Sequence, residues 1–429
     1  MATLLIFGSF LLLMALGVPI GTSLGLAAVL TIWQFDLGIG MLGINFTSSI
    51  ASFPLLAIPF FVLAGVIMEK AGLAANLARF FELLVGRAVG GLAVVSVCTC
   101  MFWGALSGSG PATTAAVGLI LLAPMIRHGY DKNFAGALIA NASDLSIIIP
   151  PSIAFIIYGN ITSVSVSALF MAGIVPGILT GTGLIVAAYW ISRKRGYQGS
   201  EQRASLKEIL KALKSSLWAI LSPVIILGGI YAGIFTPTEA AVVAVFYSLA
   251  VAVLVYRSLT WRGFIEVLVD ASVTSSVIMF IVAFAGIFTW AASVIGVVDQ
   301  AANFIVRISP NATVMIILVD ILLLALGMVL DAISISYLIM PILIPVLAAF
   351  KIDPVWYGVI FICALAIGQA TPPVGVNLFT AANLIKGDLD SVAKQAIPFV
   401  LAAIVVLVLL SLIPALSLYL PVKAGLYTP

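Results

Sequence analysis

Apolar runs of about twenty or more residues recur from one end of the chain to the other, each long enough to cross a hydrocarbon core roughly 30 Å thick. A chain of this kind folds in lipid, where every backbone donor and acceptor has to be paired internally. Helix-length runs, rather than alternating segments of about ten residues, point to α-helices and not to an outer-membrane barrel. Composition agrees, with 63% hydrophobic and 8% charged residues, against roughly 25% charged in a soluble domain. Soluble enzymes, nucleic-acid binders and disordered chains are thereby excluded. Cys98, Cys100 and Cys363 all lie inside apolar runs and read as small packing residues. The opening MATLLIFGSF lacks the positive and polar flanks of a signal peptide and reads as a retained membrane helix.

A weak internal repeat organises the runs. Ala64-Gly65 matches Ala285-Gly286, Pro124 matches Pro345 and Pro151 matches Pro372, all 221 residues apart, and Pro176 matches Pro398 with one residue more. The first half, 1–192, is expected to hold scaffold helices over 1–50, a hairpin over about 90–127, a broken helix over about 133–159 and a closing helix over about 166–192. A basic linker covers 193–215. The second half, 216–429, repeats the order, with scaffold helices over 216–256, a hairpin over about 311–350, a broken helix over about 355–380 and a closing helix over about 392–420. Each half opens on an apolar pair around a Gly/Pro turn (GVPIG at 17–21, FTPTE at 235–239), followed by a long helix. Amphipathic stretches at about 72–88 and 296–309 precede the hairpins.

Charge placement orients this plan. If the first half starts outside and the second inside, and each hairpin enters and leaves on one side, only Arg307, Lys351 and Lys423 of the 19 Lys and Arg are external. That is a strong positive-inside bias, with the N-terminus periplasmic. The two halves then have opposite topology. Inverted repeats around a midplane site, with re-entrant hairpins and broken helices, are the architecture of secondary transporters.

Four stretches interrupt the helical pattern: GALSGSGPATTAAVG (104–118), SDLSIIIPPSIAF (143–155), LGMVLDAISISYL (326–338) and IGQATPPVGVNLF (367–379). Gly and Ser let the backbone turn sharply, and the Pro-Pro pairs leave carbonyls free. Free carbonyls and hydroxyls form an oxygen-only cage suited to a small hard cation such as Na⁺, and opposed half-helix N-termini favour a carboxylate. A single Gly/Ser cluster is ordinarily a packing surface and a single proline a kink; four clusters paired by a repeat point to a shared site. Asp144 and Asp331 are costly at membrane depth and are functional candidates, with interhelical hydrogen bonding as the plain alternative. Asp320 is placed near an interface, Glu239 in support of the FTPTE turn, and His128 in a loop.

GALSGSGPATTAAVG, IPPSIAFIIYG with LFMAGIVPGIL, FTPTEAAVVAVFYSL and IGQATPPVGVNLF together resemble the large membrane subunit (DctM-like) of the tripartite ATP-independent periplasmic (TRAP) transporters, over essentially the whole chain. The resemblance implies an all-α elevator-type transporter in the bacterial inner membrane, in which a domain holding both hairpins slides against a scaffold. It implies three partners: a periplasmic substrate-binding protein, a separate small four-helix membrane subunit, and an organic acid taken up with Na⁺ as the coupling ion and no other cofactor. Carried over, the first sodium site uses Ser107, Ser109 and Gly110 with backbone oxygens near Ile149 and Pro150. The second uses Gly327, Gly368, Thr371 and Val374, mainly through carbonyls, and the substrate lies near Thr113, Thr114, Ser152, Asn377 and Thr380. Asp144 departs from the resemblance, which implies a small residue there. Asp144 or Asp331 is a candidate for an additional coupled cation or proton.

No Arg or Lys falls within the four clusters, so a carboxylate there is held by hydroxyls, amides, helix N-termini and Na⁺. GPATTAAVG resembles the C4-dicarboxylate branch more than the sialic-acid and sugar-acid branches, where an acidic residue is expected soon after Ser-Gly-Ser. A cation/proton antiporter is the rival class, since inverted repeats and buried acids would serve it too. An enzyme is disfavoured, because no metal-ligand constellation or Ser/His pairing is present in the sequence.

Overall fold

The computed structural model describes residues 2–199 and 204–429; Arg203, counted above among the inward cations, lies outside them. The first half holds α1 (Ala2–Ala15), α2 (Ile20–Gln34), α3 (Met41–Ile50), α4 (Ala57–Lys70), α5 (Leu73–Val85), α6 (Gly91–Ser107), α7 (Gly110–Arg127), α8 (Lys132–Ser143), α9 (Leu145–Ile148), α10 (Ile153–Thr162) and α11 (Val166–Arg195). The second holds α12 (Leu206–Tyr231), α13 (Pro237–Ala250), α14 (Trp261–Val294), α15 (Val297–Ile308), α16 (Ala312–Gly327), α17 (Ala332–Ala349), α18 (Pro354–Gln369), α19 (Val376–Leu384), α20 (Leu389–Leu412) and α21 (Ala415–Lys423). Among the described residues, 8 helices are long and apolar enough to cross a membrane, or 9 if α8–α9 and α10, bent by 42°, form one span. The chain is an all-helical, multi-pass membrane protein.

Local chemistry explains the starts and stops. Leu73, Ala74, Leu77 and Ala78 recur at helical spacing and are buried along one face of α5, while Arg79 and Glu82 pair at 3.0 Å on the other. Gly72 (φ +76°) and Gly296 (φ +73°) turn the chain in the left-handed region just before α5 and α15, a conformation costly for any residue with a Cβ. The FTPTE turn is a capping box: Thr236 accepts from the Glu239 amide, and Glu239 accepts from the Thr236 amide at 2.8 Å.

Three boundaries differ from expectation. The first half has no single long helix to match the 34-residue α14; α3 and α4 stand there, separated by a short 3₁₀ turn at Phe53–Leu56. Pro54 lacks an amide donor and disfavours helix at Phe53, whereas α14 has Ser275 at the 221-residue offset. The closing helix expected over 392–420 is two helices, because Pro414 forces Ile413 out of helical geometry (φ −125°, ψ 86°). In the linker, α12 starts at Leu206 under a Ser205–Glu208 capping box, so the 216 boundary falls inside a continuous helix.

Packing separates two sets of helices. α1 packs on α2, while α2, α3 and α4 pack on α14 and α13 lies between α4 and α12. The inner set groups α6–α11 with α16–α20, α18 lying against α9, α11, α16 and α20. The two hairpins are not alike: α6 and α7 pack closely together, whereas α16 lies mainly on α18 and α17 on α14, α15 and α10. α5 joins α12 to α6, and the sets meet where α4 touches α6 and α14 touches α17.

Candidate functional site

Each half supplies one hairpin turn and one helix break. In the first, α6 ends at Ser107, Gly108 (φ +61°) reverses the chain, and Gly110-Pro111 opens α7 where Pro's missing donor costs nothing. Ser107 Oγ and Thr113 Oγ1 lie 2.6 Å apart across this turn, and Thr114 Oγ1 donates to the Gly110 carbonyl at 3.1 Å. The α9–α10 break follows Ile149 and contains a cis Pro150–Pro151 bond, with Ser152 Oγ donating to the Ile147 carbonyl at 2.6 Å. The hairpin lies flush on this break: a Cβ on Gly104 would come within 2.6 Å of Ser146 Cα, and one on Gly108 within 3.5 Å of the Pro151 carbonyl. The Ile149 side chain packs instead against Gly177 of α11.

In the second half, α16 and α18 approach at Gly327 and Gly368, where a Cβ on Gly327 would sit 2.9 Å from Gly368 Cα. The α18–α19 break contains a cis Pro372–Pro373 bond. Gly375 donates its amide to the Met328 carbonyl at 2.9 Å and lies against the carbonyls of Gln369 and Thr371. Thr371 Oγ1 donates to the Ile367 carbonyl at 2.6 Å, Thr380 Oγ1 to the Val376 carbonyl at 2.9 Å, and Val374 is largely exposed. Asp331 caps α17: its Oδ1 accepts from the Ile333 and Ser334 amides at 2.9 and 3.0 Å, and its Oδ2 from Ser334 Oγ at 2.6 Å.

Among the described residues a buried side-chain bond links the interruptions of the two halves. Asn377 Nδ2 donates to Asp144 Oδ1 at 2.8 Å, and both residues are buried. Gly110 lies over the amide, since a Cβ there would come within 2.7 Å of Nδ2 and 2.8 Å of Oδ1.

A cavity of about 910 Å³ is bounded by all four interruptions: Ser107 to Ala112, Ile147 and Ile153, Asp331 to Ile333, and Gln369 and Val376. Its far wall is α4 and α14, and Glu69, Lys70 and Asp270 lie toward one end. Of the expected sodium residues, Ser107, Ser109 and Gly110 line it. Thr113, Thr114, Ser152 and Asn377 are fully buried behind it, and Thr380 is half-buried. Sequence motifs missed Trp103, Asp270 and Lys70 on the lining, because the cavity forms where the two helix sets pack together, and Gln369, inside the fourth interruption, was not singled out there. Lys70 is held by Glu266 at 2.9 Å, and the polar surface near the turns is hydroxyl, amide and carbonyl together with the Asp331 carboxylate that caps α17. Among the described residues no three His, Cys, Asp or Glu side chains gather as metal ligands. Asp320 is buried against α20, where Ser411 Oγ donates to it at 2.9 Å. His128 caps the exposed end of α7, with a ring nitrogen 2.9 Å from the Pro124 carbonyl.

The same fold occurs in the crystal structure of the YdaH transporter of Alcanivorax borkumensis, which matches with a TM-score of 0.62 at 15% identity over 96% of this chain and 98% of that one. In sequence the chain is similar to the C4-dicarboxylate TRAP transporter large permease protein DctM of Pseudomonas aeruginosa, 39% identical over 94% of this chain and 95% of that protein. It is also similar to the isethionate TRAP transporter permease protein DctMQ of Oleidesulfovibrio alaskensis, 38% identical over 96% of this chain; the chain spans 65% of that protein's length. The pattern of the tripartite ATP-independent periplasmic transporter DctM component matches residues 7–416. The chain therefore belongs to the DctM family of large TRAP-transporter permeases, a family of transporter subunits and not of enzymes.

Proposed function

We propose that this chain is the transport subunit of a binding-protein-dependent system that takes up a small organic acid with sodium, by an elevator movement. The observation that carries the reading is the cavity on which both hairpin turns and both broken helices converge. The two halves are inverted repeats: a scaffold of α1–α4 and α12–α14, and an inner domain holding both hairpins. α5 and α15 are the arms between them. With sixteen Lys and Arg assigned inside, the N-terminus is periplasmic and the cavity end with Glu69, Lys70 and Asp270 is cytoplasmic.

The first sodium site is formed by Ser107, Ser109 and Gly110 with the backbone oxygens near Ile149 and Pro150. The second is formed by Gly327, Gly368, Thr371 and Val374. Supporting this are the hydroxyl pair at the first turn and the carbonyls gathered at Gly375, oxygen donors of the kind a hard cation takes. The substrate is held by Thr113, Thr114, Ser152, Asn377 and Thr380 once the turns part. The P. aeruginosa relative favours a C4-dicarboxylate, and the O. alaskensis relative keeps a small hydroxylated sulfonate within the same class. About a third of the DctMQ protein lies beyond the match, which supports a small membrane subunit as this chain's partner. Reconstituted with that subunit, the chain should stay nearly silent until the matching binding protein is added. Equal uptake of free substrate without the binding protein would sink the tripartite reading.

A further inference from the structure

An Asn side chain has a donor edge and an acceptor edge, and its neighbours decide which edge faces a ligand. Asn377 has no solvent exposure, and one of its two amide N–H groups is engaged: Nδ2 donates to Asp144 Oδ1 at 2.8 Å. Its Oδ1 is buried with no hydrogen-bond partner. That orphan oxygen sits behind Gly110, which lines the cavity, and beside Val376, which lines it too. A buried acceptor without a donor is costly, so a ligand that brings one gains what the protein leaves unmade.

We propose that Asp144 fixes the orientation of the Asn377 amide, so that, once the α6–α7 turn moves off it, the site presents a carbonyl oxygen and prefers acids bearing a hydroxyl or ammonium donor near the carboxylate over unsubstituted ones. Asp144 is a positioning residue in this arrangement: it need not touch the ligand. The carboxylate of the ligand falls to the α7 N-terminus and the hydroxyls, because Asp144 holds the Asn377 nitrogen to itself. The inference rests on the organic-acid reading above and narrows its substrate class.

The test uses the purified complex of this chain with its small subunit in nanodiscs, at saturating sodium and without the binding protein, so that only the permease's selectivity is read. Competition calorimetry compares matched pairs: succinate with L-malate, and propionate with L-lactate. The hydroxylated member should bind about tenfold or more tightly, and in Asp144→Asn, whose amide can meet Asn377 by either edge, the ratio should fall to within about threefold. Equal binding of the paired acids to the wild-type protein overturns the proposal, even if the variant fails to assemble. So does an unchanged ratio in an Asp144→Asn complex that elutes and melts like wild type. If no acid of either kind binds with sodium, the proposal fails; if the complete tripartite system then also takes up no organic acid, the organic-acid reading fails with it.

Discussion

Gly327 and Gly368 let α16 and α18 touch through backbone alone, and filling that contact is the sharpest perturbation the structure offers. A Cβ on residue 327 would lie 2.9 Å from Gly368 Cα and 3.3 Å from the Leu365 carbonyl; one on residue 368 would lie 2.7 Å from Gly327 Cα. Ordinary contact between carbons begins at about 3.5–4.0 Å, so the helices must separate by roughly 1 Å. The obstruction is backbone and cannot swing away. Overpacking of this kind costs about 1–3 kcal/mol, and the same displacement would pull apart oxygens proposed to hold sodium. Gly327→Ala should therefore lower the unfolding midpoint and raise half-saturating sodium about tenfold, equivalent to about 1.4 kcal/mol. Gly368→Ala should do the same. Their effects should not add, because a gap opened by one methyl accommodates the other. Thermal scans and sodium titrations of the two single variants and the double variant check this. Wild-type stability and sodium dependence in both single variants, or strict additivity in the double, would refute the contact.

Ser107→Ala and Thr371→Ala should each raise the sodium concentration needed for transport more than they impair assembly; unchanged sodium dependence in both would remove these residues from the sites. Asp331→Ala should lower stability by about 0.5–2 kcal/mol through loss of the α17 cap, and leave the charge carried per substrate unchanged; a changed charge would make it a coupling residue instead. Ser411→Ala should cost about 1–3 kcal/mol by leaving the buried Asp320 without its donor, with substrate affinity unaltered, as melting and binding assays on one preparation would read. Transport of a dianion is expected to accelerate under an inside-negative potential at fixed sodium and pH gradients, since a third cation adds a net charge worth about 2.3 kcal/mol per 100 mV; indifference to potential leaves two-sodium coupling.

What could be read from the chain alone followed its local chemistry. Pro150–Pro151 and Pro372–Pro373 mark the breaks because proline removes donors wherever it falls, and the apolar spacing from Leu73 to Ala78 marks α5 without reference to any neighbour. Glu239 was legible as a cap three residues after Thr236. The 34-residue continuity of α14 opposite the broken α3–α4 was not, since the repeat suggested matching helices and one unshared proline decided the difference. Burial of Asp320 depends on Ser411, 91 residues away, and the bond between Asp144 and Asn377 spans 233 residues. Periodicity carries no information at that range. Trp103 and Lys70 reach the cavity for the same reason: the approach of one helix set to the other is written in no single segment.

Sodium coupling is the centre of the account, and proteoliposomes holding the complete tripartite system test it directly. Accumulation of a labelled organic acid is followed under an inward sodium gradient alone, a proton gradient alone, and neither. The account predicts uptake above equilibrium with sodium at uniform pH and none with the proton gradient. Accumulation that follows the proton gradient and ignores sodium would contradict it.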